Sequence, residues 1–221
     1  MLSITSIIFL LIIIITKKSD GSLNILDKII VMSVFFVCCL FGLSLAIYPG
    51  WTKRLIKIKK YHKDKGKDQY KIRFLGHHPN CENFRSHILK TSKKTYCAGC
   101  LGLIIGFLSS VFLMTLYLMM EASFSPAAKY MMIFIGILFV LIGLVEYFTI
   151  SNTILHIILN IIFVIALLLI IVGILEITQN KIYGFISIMI SFIFIETRIH
   201  LSHWKHARIC NDCINDCKIY I

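Results

Sequence analysis

Apolar runs of helix length alternate with short polar breaks over most of this chain. Residues 2–15 are apolar except for Ser3, Thr5 and Ser6. Residues 17–28 form a polar connector, and residues 29–48 are the next apolar run, closed by Tyr48-Pro49-Gly50-Trp51. Four further runs cover residues 101–120, 130–149, 154–177 and 182–195, with short connectors between them. A helix needs about 20 apolar residues to cross a hydrocarbon layer of about 30 Å. Tyr and Trp at the end of the second run suit a membrane–water boundary, and Pro-Gly stops the helix there. The first run is short for that thickness. It has neither a basic start nor a small-residue cleavage site, so it reads as a short spanning or interfacial helix and not as a cleaved signal peptide.

Composition agrees with the pattern. The chain is 58% hydrophobic with a mean hydropathy of +0.85, above the roughly 45–50% apolar content of soluble domains. The predicted fold class is all-α: an integral membrane helical bundle of about six transmembrane helices, each long enough for a bilayer or nearly so. Five segments are expected. They are two N-terminal membrane helices (1–51), a basic linker (52–75), a Cys/His hairpin (76–100), a four-helix membrane bundle (101–196) and a Cys/His-rich tail (197–221).

The formal net charge of +12 belongs mainly to one place. Fourteen of the 23 Lys and Arg residues lie between Lys53 and Lys94. A basic loop beside membrane helices is placed on the cytoplasmic side by the positive-inside rule. The basic stretch from Lys53 to Lys71 attracts anionic lipid headgroups, at about 1 kcal/mol per basic residue near the surface. No nucleic-acid partner is expected. Four spans separate this loop from the tail, and an even number returns the tail to the same side. The tail carries Arg198, Lys205, Arg208 and Lys218, which agrees. Lys17, Lys18 and Lys28 disagree, since they lie outside if the first run spans. The expectation is a multi-pass protein of the cell membrane with both termini cytoplasmic.

That placement gives the cysteines a meaning. Cys97-Ala98-Gly99-Cys100 lies where the polar segment meets an apolar run, downstream of His77, His78, Cys81 and His87. A second group, His200, His203, His206, Cys210, Cys213 and Cys217, closes the chain. Cytosolic thiols are kept reduced, so paired cysteines there point to metal or redox chemistry and not to a disulfide framework. Cys-x-x-Cys puts two thiolates on one tight turn, with Gly99 letting the backbone curl so that amides point at sulfur. One pair is half of a tetrahedral zinc shell. If the last helix continues past Glu196, then His203, His206, Cys210, Cys213 and Cys217 fall within roughly 80° of one another at about 100° per residue. That stripe is expected to face the hairpin and share metal with it. If residues 210–213 make a turn instead, they form a zinc knuckle. The expected metal ligands are His77, Cys81, Cys97, Cys100, His203, His206, Cys210, Cys213 and Cys217. Zinc suits a Cys/His mixture best. An iron–sulfur cluster is second, because four cysteines also hold one but the spacing is not that of ferredoxins.

His77, Pro79, Phe84, Cys97, Cys100 and Gly102 follow a His…Pro…Phe segment and a Cys-x-x-Cys-x-Gly entering a helix. In this the chain resembles an uncharacterised family of small prokaryotic multi-pass membrane proteins, a domain of unknown function. The resemblance covers the hairpin and its helical context. Family members carry a cysteine directly before the first His, where this chain has Gly76; Cys81 is the nearest substitute. The Cys-rich tail is not part of the resemblance. It implies a membrane protein with a metal-binding hairpin and no assigned reaction.

Other polar residues have plainer readings. Cys38 and Cys39 lie mid-helix and read as small buried hydrophobes before they read as a metal relay. His156 is the one histidine within a membrane run and reads as a helix–helix contact. Glu146, Glu176 and Glu196 lie near helix ends, within reach of interfacial water, whereas a transport carboxylate should sit deeper with a partner. His203 and His206 make a His-x-x-His, but no Glu serves as general base beside them, so hydrolysis is disfavoured. Gly102 and Gly106 form a G-x-x-x-G step that can seat a close helix crossing. Three functions fit. The first is a structural zinc site joining loop to tail and presenting a cytoplasmic face to a protein partner, without enzymatic activity. The second is a membrane thiol–disulfide oxidoreductase using Cys97 and Cys100. The third is a soft-metal transporter or sensor.

Overall fold

The computed structural model describes residues 2–16, 23–48, 74–75, 78–79, 87–91, 94–120, 124–149 and 152–211. Among them are six helices: α1 (Leu2–Thr16), α2 (Ile25–Ile47), α3 (Ala98–Met119), α4 (Pro126–Thr149), α5 (Thr153–Thr178) and α6 (Lys181–Asn211). Four short strands precede α3: β1 (Phe74–Leu75), β2 (His78–Pro79), β3 (Ile88–Thr91) and β4 (Lys94–Cys97). They pair antiparallel as β1–β2 and β3–β4. The all-α class holds. Five of the helices, all but α1, are long and apolar enough to cross a bilayer. The expected six spans are therefore five plus one short helix: α1 has 15 residues and reaches about 22 Å at 1.5 Å per residue. The basic linker lies outside the described residues except for Phe74 and Leu75.

Polar side chains mark where helices begin. The first amides of a helix have no partner within it, so a side-chain acceptor just upstream fixes the start. Asn24 accepts from the Leu26 amide at 3.1 Å, Asn152 from Ile154 at 3.0 Å, and Asn180 from Ile182 at 2.9 Å. Ser125 accepts from the Ala128 amide at 3.3 Å, with Pro126 as the first residue of α4, where its missing N–H costs nothing. Between α5 and α6 only Gln179 and Asn180 intervene. Gln179 adopts the left-handed conformation at φ 50°, which turns the chain back on itself.

Helix α5 is the central pillar. It packs most extensively on α4 and α3, and every residue from 170 to 178 is buried. One apolar cluster joins α1, α4, α5 and α6 through Leu10, Ile133, Phe163, Ile170 and Phe194. The other joins α2, α3 and α5 through Met32, Phe35, Met114, Leu168 and Ile171. Cys39 is buried in the second cluster with Cys38 packed against it, the environment of a small hydrophobe. Gly102 and Gly106 both face α5. A Cβ on Gly102 would stand 2.7 Å from the Ile157 carbonyl oxygen, and one on Gly106 would stand 3.1 Å from Val164. The G-x-x-x-G step is thus used inside the chain.

These contacts fix direction. Gly102 meets Ile157 and Asn160 near the starts of both helices, and Tyr117 meets Glu176 near their ends. So α3 and α5 run parallel, and α4 runs antiparallel to α5 through Gly143–Phe163 and Gly173–Ile133. Helix α2 begins where Lys28 lies over the Tyr117 ring. Helix α6 begins where Gly184 meets Leu175 and returns with Arg198 beside Asn160. The Ser3 hydroxyl bonds Thr197 at 2.5 Å. The starts of α1, α3 and α5 and the ends of α4 and α6 therefore share one end of the bundle, the end that carries the β3–β4 ribbon.

Helix α6 is longer than its apolar run. It has 31 residues, about 46 Å, because nothing from Glu196 to Asn211 breaks a helix. The continuation past Glu196, one of the two alternatives for this segment, is present through Asn211, with Arg198 and His206 buried.

Replacing Gly102 by Val forces α3 off α5. The expected cost is about 1–3 kcal/mol, read as a lower unfolding midpoint in detergent micelles. Leu108→Ala, on the outward face, should leave the midpoint nearly unchanged.

Candidate functional site

Strand β4 runs directly into α3, and the junction is Cys97. Ile88 and Cys97 are paired across the ribbon and both are buried, whereas Tyr96, the residue before Cys97 on β4, is exposed. One face of the ribbon therefore packs on the bundle. Cys97 also caps α3: its Sγ accepts from the Cys100 N–H at 3.5 Å. This is the amide-to-sulfur turn expected from the motif. The first turn of a helix presents uncompensated N–H groups and a positive dipole end, which favour a thiolate. Cys97 is buried, Cys100 half-buried, and the two do not form a disulfide with each other.

His87, immediately before β3, reaches into a cluster from three parts of the chain. Its ring centre is 5.4 Å from that of His156 on α5 and 5.7 Å from that of His206 on α6, both contacts edge-to-face. All three histidines are buried. His156 Nδ1 bonds the Glu146 Oε1 of α4. The other carboxylate oxygen, Oε2, accepts from Arg198 Nη2 of α6 at 3.1 Å. Arg198 also donates through Nη1 to the Gly143 carbonyl at 2.6 Å and through Nη2 to Asn160 Oδ1 at 2.9 Å. Asn160 Nδ2 donates to the His156 carbonyl at 2.6 Å. The guanidinium lies over the Phe163 ring, its Cζ 4.5 Å from the centroid. Gly143 makes room for it, since a Cβ there would stand 2.8 Å from Arg198 Nη1.

The Glu146 side chain is 2% exposed and that of Arg198 6%. Desolvating two charges costs several kcal/mol each, and the pair persists only with good geometry and satisfied hydrogen bonds. Both conditions are met here. Glu146 was expected within reach of interfacial water and is instead buried with two partners. Arg198 was counted among the basic residues of a cytoplasmic tail and is instead buried in the bundle. Glu176 is also buried, at the opposite end, where it accepts from Tyr117 Oη at 2.6 Å and lies 3.6 Å from Lys129 Nζ. Glu196 is exposed and pairs with His200.

The expected metal ligands are distributed as follows. Cys97, Cys100 and His206 lie at the hairpin end of the bundle. His203 is on the exposed face of α6, so the expected stripe divides there: His206 turns inward and His203 outward. Cys210 belongs to the last residues of α6. His77, Cys81, Cys213 and Cys217 lie outside the described residues. Among the described residues, no three His, Cys, Asp or Glu side chains are arranged to hold one metal ion. The sequence reading missed His87, His156, Glu146, Asn160 and Arg198 as one group. The available signal was cost: a charge or amide within an apolar run needs a partner. Compared with known proteins, the chain matches no protein family, no curated sequence and no solved structure.

Arg198→Met leaves Glu146 buried without its cation. It should destabilise the bundle by about 3–5 kcal/mol, measured by unfolding in detergent. The double variant Glu146→Gln/Arg198→Met should be clearly more stable than Arg198→Met alone.

Proposed function

We propose that this chain is a multi-pass membrane protein in which zinc ties the central loop to the C-terminal segment at the cytoplasmic face. The observation that carries this reading is the junction of β4 and α3. There the Cys100 amide points at Cys97 Sγ, at the same end of the bundle to which α6 returns. His206 of α6 meets His87 of the loop at that end, and Cys210 follows one helical turn beyond His206. Cys97 and Cys100 supply two thiolates; Cys210 and Cys213 complete the simplest four-coordinate shell. A closed shell of that kind is structural: it fixes the loop on the last helix and offers the assembled face to a protein partner.

The membrane reading rests on the five long apolar helices and on the spacing of the two buried carboxylate groups. His156 and Glu176 are 20 residues apart on α5, about 30 Å at 1.5 Å per residue. That distance is the thickness of a hydrocarbon layer, and Asn160 is the one polar side chain between them. The side follows from the basic loop, Lys53 to Lys94, preceding α3, whose lysines also meet anionic headgroups.

Elemental analysis of protein purified without a metal-affinity tag tests the reading. Stoichiometric zinc is expected, lost from Cys97→Ser and from Cys210→Ser alike. A metal-free protein whose thiols oxidise in pairs would replace this reading with thiol–disulfide exchange at Cys97 and Cys100.

A further inference from the structure

The end of the bundle opposite the ribbon holds a second polar group. Four helices meet there: α2 at Lys28, α3 at Tyr117, α4 at Lys129 and α5 at Glu176. Tyr117 Oη donates to Glu176 Oε1 at 2.6 Å. Lys129 Nζ donates to the Glu176 carbonyl at 3.0 Å and lies 3.6 Å from its Oε2. Asp27, beside Lys28 in the chain, pairs with Lys181 of α6 at 2.9 Å. Both carboxylates that the described residues bring to this end are therefore taken.

Lys28 is the charge in excess. Its Nζ lies 3.8 Å from the centre of the Tyr117 ring, and Glu176 is near enough for its charge to act on it. A ring face attracts an ammonium, but an ammonium has three N–H donors to satisfy. Among the described residues, no oxygen accepts from Lys28. The ring that carries it is fixed, because the Tyr117 hydroxyl is bound to Glu176. A half-buried cation is thus held in one place and lacks an oxyanion.

Depth narrows what can supply one. Glu176 marks one edge of the apolar thickness of α5, and an aromatic residue bonded to it stands at the level where phospholipid headgroups begin. From Lys28 down α2, Ile29, Phe36 and Leu40 share one stripe, and all three are exposed. A cation without an oxyanion above an uncovered apolar stripe matches the two parts of a phospholipid, phosphate and acyl chain. Free phosphate would satisfy the first and leave the second bare. A net-anionic headgroup balances Lys28, whereas a zwitterionic one brings a further ammonium to a place that already holds two.

We propose that Lys28 binds the phosphate of an anionic phospholipid, with the Ile29–Phe36–Leu40 stripe of α2 under an acyl chain. Tyr117 is a positioning residue that holds the ammonium. The leaflet is the non-cytoplasmic one, which rests on the topology proposed above. The site shares no residue with the zinc shell.

The test is native mass spectrometry of the full chain in a nonionic detergent. It is titrated with phosphatidylglycerol and, separately, with phosphatidylcholine of the same chains. The basic segment from Lys53 to Lys71 also attracts anionic lipid, so the readout is the difference between variants. Wild type is expected to hold one tight phosphatidylglycerol whose affinity falls about 10- to 100-fold in Lys28→Gln. Lys28→Arg and Lys57→Gln should keep it, and Glu176→Gln, which removes the competing carboxylate, should tighten it. Equal retention by Lys28→Gln and wild type overturns the proposal, as does equal retention of phosphatidylcholine. Inorganic phosphate that binds wild type as tightly as the lipid overturns the lipid as ligand. If Lys28→Gln does not fold, acetylation of wild-type lysines decides: phosphatidylglycerol should protect Lys28, and unchanged labelling overturns the proposal. Zinc content should be the same in Lys28→Gln and wild type, so failure here leaves the zinc reading standing.

Discussion

Arg198 and Glu146 set a condition that the surrounding structure has to meet. A guanidinium and a carboxylate are buried against each other where three apolar helices converge. Neither charge is tolerable there without the other. The pair binds α6 to α4, and Asn160 extends the link to α5. Arg198 reaches its partners because Gly143 has no side chain and because Phe163 offers a ring face to the guanidinium. Helix–helix packing of Ile, Leu and Val alone tolerates small slides and rotations. A hydrogen-bonded charge pair does not, and it fixes the rotation of α6 that turns His206 inward and leaves His203 outward.

The apolar part of the bundle is organised around α5. Glycines on α3 and α4 let backbones approach it closely, and the two apolar clusters lie on its two sides. Polar groups gather near its ends: the His156–Glu146–Arg198 group at one and Glu176 with Tyr117 and Lys129 at the other. This arrangement is compatible with a helix bundle in lipid, where backbone groups have to be satisfied within each helix and charged side chains paired or brought to the boundary.

The Cys97 junction links that frame to the loop. One residue ends a strand, caps a helix and begins the Cys-x-x-Cys turn. The β3–β4 ribbon that positions it also places His87 against His156 and His206. A cysteine pair and an imidazole group thus lie at the same end of the bundle, held by the same short ribbon.

The apolar runs determined the helices. Their number and order are those of the pattern, with ends moved by a few residues where Asn, Ser and Pro caps lie outside the apolar stretch. The exception is α6, which continues through Asn211 because hydropathy registers burial or lipid contact and not helix propensity. The amide-to-sulfur turn at Cys97 was also legible, since it is local. The His87–His156–His206 group was not. Its members lie on elements far apart in sequence, and periodicity cannot give the rotation of one helix against another. Arg198 likewise read as a tail charge because its partner, Glu146, is 52 residues away. Sequence determined the local elements and which residues could do chemistry. Only the tertiary packing decided which of them meet, because that depends on helix rotations fixed by glycine contacts and one buried charge pair.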